Sequence, residues 1–163
     1  MKRWQVIALL AAAAVVVAGK EFYRTASPAD LRWLLAPTAH AVTALGFGHF
    51  AFDAQLGYVD PARSFAIAPA CAGLHFALAA FLALVIGGLG GMRDARATAQ
   101  RLIAALAIAY AATIVVNTIR ISLALAWHRP DLHQMQGTLV YLGGLVAIYA
   151  LARRNHALAH EAS

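Results

Sequence analysis

The chain has 163 residues, 62% of them hydrophobic and only 12% charged, with a mean hydropathy of +0.68, where soluble domains carry about 25% charged residues. Composition therefore points to one integral membrane domain, and the basic residues behind the net charge of +6 lie between apolar segments, a pattern of membrane topology rather than nucleic-acid binding. A single cysteine excludes an internal disulfide framework and a Cys-x-x-Cys redox pair, and without His-Glu-x-x-His or a carboxylate run no metal or other cofactor is expected.

Met1-Lys-Arg precedes the uncharged stretch Trp4–Gly19, the first predicted span (4–19). The same features suit a signal peptide, with Val16-x-Ala18 at a cleavage position, but an ordinary uncleaved anchor is the preferred reading. Lys20–Asp30 is polar, and Ser27-Pro28 reads as a turn and helix cap. The next apolar stretch, Leu31–Phe52, holds Arg32, Pro37, His40, His49 and the helix-breaking Gly46-Phe-Gly48. A full crossing there would put the Arg93/Arg96/Arg101 segment outside, against the positive-inside rule. It is therefore predicted as an interfacial or re-entrant helix over about 31–46, followed by an outward segment in which Phe50–Val59 alternates as a strand or hairpin does.

The second span is predicted over 69–91, ending in Gly87-Gly-Leu-Gly-Gly91, and Met92–Arg101 reads as an inner loop. The third covers 102–127 and contains Asn117 and Arg120. An outer turn holding His128 and His133 follows, and the fourth span runs over 137–151 before Arg153-Arg154. On this layout the inner pieces hold Lys2, Arg3, Arg93, Arg96, Arg101, Arg153 and Arg154 against only Asp94 and Glu161. The fold class is thus all-α and multi-pass: about four transmembrane helices plus one interfacial helix, with both ends inside and the lipid bilayer as solvent.

Three groups then fall at one membrane level. Cys71 is predicted in the first turn of span two, just after Pro69, a residue helix starts tolerate; a helix N-terminus favours thiolate. Read blandly, Cys71 is a small buried hydrophobe. Arg120 lies near the outer end of span three, where an arginine costs up to roughly 3 kcal/mol unless paired or snorkelled. Asn117, three residues earlier, shares its helix face. His133 precedes span four, with Gly137 leaving room one turn on; His128 is its rival, and a solvated loop histidine is the plain alternative. His75, one turn past Cys71, is a secondary candidate for contact with the thiol. A thiolate attacks acyl carbon, an arginine stabilises thiolate or oxyanion, and a histidine moves the proton. This chemistry suits a membrane cysteine peptidase or transpeptidase.

Three blocks carry a family resemblance: Pro69-Ala-Cys71-Ala-Gly73, Asn117-Thr-Ile-Arg120-Ile and His133-Gln-Met-Gln-Gly137. In this order, with a hydrophobic span between blocks, they resemble the exosortase/archaeosortase family over roughly residues 65–150, and its short K-type members most. The chain is shorter than typical exosortases. The resemblance implies a bacterial inner-membrane enzyme, its site facing the periplasm or exterior, and substrates that are membrane proteins with a C-terminal sorting signal: a short motif, a transmembrane helix and a basic tail. It implies Cys71 as nucleophile, Arg120 as oxyanion or thiolate partner and His133 as general acid/base. A non-catalytic membrane scaffold or assembly subunit is the competing reading, and the lone cysteine disfavours a thiol redox or quinone enzyme.

Overall fold

Helix α1 runs over Arg3–Thr25 in the computed structural model, which describes residues 2–127 and 137–150. At about 1.5 Å per residue its 23 residues reach about 35 Å, enough for a hydrocarbon core of about 30 Å. The helix passes the predicted end at Gly19 because Lys20-Glu21-Phe22-Tyr23-Arg24 contains no helix breaker. The turn that follows is closed by Asp30, whose carboxylate accepts from the backbone N–H and the hydroxyl of Ser27 at 2.9 and 2.7 Å.

Helix α2, Arg32–Ala44, has 13 residues, about 20 Å at the same rise. It is too short to cross, which agrees with the predicted non-spanning helix over 31–46. Gly46 takes φ +79° and closes it: Gly46 N–H donates to Thr43 and Phe47 N–H to Val42, the double bond pattern of a Schellman cap. Leu34, Leu35, Ala39 and Val42 form its buried face.

The segment after α2 folds as an antiparallel sheet of order β1-β2-β3. Its strands are β1 Ala51–Asp53, β2 Gly57–Asp60 and β3 Phe65–Ile67. The hairpin foreseen in Phe50–Val59 is present, paired Ala51 to Val59 and Asp53 to Gly57. Strand β3 adds to the all-α expectation: the protein is mostly helical but not purely so. Asp60 is 2% exposed and fixes this region by accepting from His49 N–H at 3.1 Å, Ala62 N–H at 3.1 Å and the Arg63 guanidinium at 3.2 Å. Those bonds, the backbone N–H of His49 foremost, hold its carboxyl below the usual carboxylate range.

Helix α3 is Leu74–Gly88, and with the short turns flanking it the apolar stretch Pro69–Gly91 is long enough to cross a membrane. Helix α4, Ala95–Trp127, is 33 residues long. It starts seven residues before the predicted boundary because Asp94 caps it, accepting from Ala97 N–H at 2.8 Å. The predicted inner loop over Met92–Arg101 is correspondingly shorter, with Arg96 and Arg101 inside the helix. The described chain thus has three helical stretches of spanning length and composition, Arg3–Thr25, Pro69–Gly91 and Ala95–Trp127, plus the shorter apolar helix α5, Gly137–Ala150.

Two compact units emerge. The first joins Met1–Glu21, His75–Ala112 and Leu142–Ser163. Within it α1 and α3 approach closely at Gly19, where a Cβ would meet Leu78 at 2.8 Å, and Gln5 donates to the Leu89 carbonyl at 3.2 Å. The second joins Phe22–Leu74 and Thr113–Tyr141; it contains α2, the sheet, the Cys71 turn, the C-terminal half of α4 and the start of α5.

Candidate active site

Strand β3 runs directly into the turn that carries the thiol. Pro69–Cys71 is a single tight turn, entered through Ala68 in an extended conformation, and the N–H groups of Cys71 and Ala72 donate to Ala68 and Pro69 at 2.7 and 2.9 Å. Gly73 then adopts φ +72°, and α3 begins only at Leu74. Cys71 therefore precedes the helix rather than occupying its first turn as predicted. A chain that must reverse from an extended strand into a membrane helix takes a left-handed step, and glycine makes that step without steric cost. Cys71 is half-buried and unpaired as a disulfide.

This kink also removes the register that linked Cys71 to His75, since the two do not share one continuous helix. His75 is exposed and belongs to the first unit. There it lines a groove of about 220 Å3 with Val16, Lys20, Leu78, Ala79 and Leu82.

Asn117 is the residue tying the turn to α4. It is 1% exposed, and its side-chain amide donates to the backbone carbonyl of Cys71 at 2.8 Å. Gly73 makes room for it: a Cβ there would lie 2.6 Å from Asn117 Nδ2. The other end of the amide accepts from the Tyr141 hydroxyl at 2.6 Å. That same hydroxyl accepts from Arg120 Nη1 at 3.1 Å. The guanidinium carbon stands 5.2 Å from the centre of the Tyr141 ring, within cation–π range. The chain of bonds thus reads Arg120, Tyr141, Asn117, Cys71 carbonyl.

Arg120 Nε is shut off from solvent and has no hydrogen-bond partner among the described residues. Gly137 packs beside it, where a Cβ would stand 2.7 Å from Nε. The missing side chain of Gly137 leaves room for the arginine. Tyr23, at the end of α1, donates to the Pro69 carbonyl at 3.0 Å and lies within electrostatic range of Cys71, Tyr141 and Arg120. Tyr141 is likewise within range of Cys71.

Of the predicted site residues, Cys71, Gly73, Asn117 and Arg120 come together in one unit. His133 and its rival His128 lie outside the described residues. Tyr23 and Tyr141 were not singled out by sequence; their signal is a phenol near the end of an apolar helix, which usually marks only the aromatic belt of a membrane protein. No group of three or more His, Cys, Asp or Glu side chains among the described residues is placed to hold a metal ion.

No family model matches this chain, and neither a curated protein nor a solved structure does.

Proposed function

We propose that this protein is a multi-pass membrane cysteine peptidase or transpeptidase of the exosortase type, cleaving a C-terminal sorting signal at the extracytoplasmic face of a bacterial inner membrane. The topology that goes with this has both ends inside, crossings by α1, the Pro69–Gly91 stretch and α4, and a fourth beginning at Gly137.

In the proposed reaction the Cys71 thiolate attacks the carbonyl carbon of the scissile peptide bond. A C–S bond forms as the C–N bond breaks, and the departing amine takes a proton from His133. Water or an acceptor amine then attacks the thioester, His133 takes its proton, and the sulfur leaves as thiolate. Charge develops on the carbonyl oxygen at each tetrahedral stage, and donors already aimed at that point are worth about 3 kcal/mol each. Arg120 supplies such a donor: its cation is held by Tyr141, and its Nε–H has no acceptor among the described residues.

The observation that carries this reading is the Asn117 bond to the Cys71 carbonyl. It fixes the main chain of the only thiol to the helix bearing the only arginine of the Asn117–Trp127 stretch, which a free cysteine used merely as packing does not require. The experiment is processing in intact cells: membrane proteins with an apolar C-terminal helix and a basic tail are compared between cells carrying the native chain and Cys71→Ala. Loss of all processing is expected with Cys71→Ala. Normal processing identifies a scaffold instead.

A further inference from the structure

Strand β3 is an edge. It pairs with β2 through Tyr58 to Ile67, Val59 to Ala66 and Asp60 to Phe65, and no strand lies on its other side among the described residues. The missing Cβ of Gly57 would stand 2.5 Å from the Ile67 carbonyl oxygen, so that carbonyl turns toward β2. Backbone groups of alternate residues in an antiparallel strand point to opposite neighbours. Ala66 N–H and C=O therefore turn outward, and Ala68, extended at φ −76°, ψ 167°, turns its N–H outward as well. Among the described residues none of these groups takes part in a backbone bond outside the sheet, save the Ala68 carbonyl, which accepts from Cys71 N–H. Ala66 and Ala68 are half-buried, Ser64 and Ala70 at either end of the edge are exposed, and the two alanines keep the approach clear of bulk. Three residues after Ala68 stands Cys71.

We infer that an extended segment of the protein substrate, on the acyl side of the scissile bond, adds as a fourth strand to β3 by bonding to Ala66 and Ala68. This rests on Cys71 being the nucleophile and names how its substrate is held. Main-chain bonding of an extended peptide to a sheet edge supplies affinity with little demand on side-chain identity. It also sets the direction of the incoming chain, because β3 is continuous with the Pro69–Cys71 turn. The opposite edge, β1, does not lead to the thiol: it turns back through the hairpin.

Proline gives a direct test, since it deletes one N–H and tolerates an outward-facing edge position. Ala68→Pro suits the backbone already, because φ −76° lies in proline's range; Ala66→Pro is the second variant and Ala66→Val, which keeps its N–H, the control. The substrates are the proteins left unprocessed in Cys71→Ala cells. Both proline variants are expected to slow their cleavage at least tenfold while the valine variant stays within about twofold, and all should melt in detergent as the native chain does. If Cys71→Ala blocks processing but Ala68→Pro cleaves at the native rate, the edge proposal is overturned and the function stands. If Cys71→Ala processes normally, both fall. Should the proline variants melt early, amide exchange decides: in the Cys71→Ala protein saturated with uncleaved substrate, the Ala66 and Ala68 amides must slow at least tenfold, and unchanged exchange overturns the proposal.

Discussion

Asn117 reaches across 46 positions of sequence to the backbone carbonyl of Cys71 and bonds it at 2.8 Å, so the turn that presents the thiol is held from a helix of membrane-spanning length. Its carboxamide is engaged at both ends, and that makes it the residue whose loss is felt furthest.

Replacing Asn117 by Leu removes the donor to the Cys71 carbonyl and the acceptor of the Tyr141 hydroxyl, which keeps its bond from Arg120, at a cost of about 1–3 kcal/mol. Processing is expected to fall at least tenfold, and the melting temperature in detergent to drop. Asn117→Asp keeps the acceptor for Tyr141 but loses the donor to Cys71, so it should restore none of the activity.

Two glycines separate backbone strain from crowding. Gly46 at φ +79° has open space where a Cβ would go, whereas Gly73 at φ +72° has Asn117 there. Gly46→Ala should cost about 1–2 kcal/mol for the left-handed conformation alone and leave processing near native. Gly73→Ala should add a displaced Asn117 and abolish processing. Thermal melts read beside cleavage assays distinguish the two.

Tyr141→Phe keeps the ring under the Arg120 guanidinium and removes the hydroxyl that joins Arg120 to Asn117. We expect a fall of roughly tenfold in cleavage, as for loss of one hydrogen bond to a charged group, with little change in stability. Tyr23→Phe, which removes the bond to the Pro69 carbonyl, should cost less.

Asp60 sets the pH response of the sheet. Its carboxyl is held below the ordinary value of 3.8, so the folded state favours the ionised form more than the unfolded chain does. The stabilisation is complete above that ordinary value and is lost as pH falls through the lower folded value. The sheet amides should therefore exchange at the same low opening frequency from neutral pH to about 5 and open more often below 4. Asp60→Asn should flatten that dependence while loosening the sheet at every pH.

The convergence of Cys71, Asn117 and Arg120 was legible because an arginine in an apolar helix demands a partner and the topology leaves few groups at its depth. The non-spanning α2 was legible too, from Pro37, Gly46 and the charge asymmetry that a crossing would violate. Strand β3 was not, because Phe65-Ala-Ile is too short to show a period. Its existence depends on β2 and on the Asp60 carboxylate that ties the intervening turn. The position of Cys71 before the helix was missed for a local reason: Pro69 is equally at home opening a tight turn, and the left-handed step at Gly73 leaves no periodic trace. Tyr141 escaped because a phenol at a helix end carries the same sequence signature whether it anchors in headgroups or bridges two site residues.

The most direct measurement is the mass of the Cys71-containing peptide from protein purified during turnover and quenched in acid denaturant. The account predicts a hydroxylamine-labile adduct on Cys71 equal in mass to the acyl fragment of the substrate. Substrate cleaved at the native rate by the Cys71→Ala protein would contradict it.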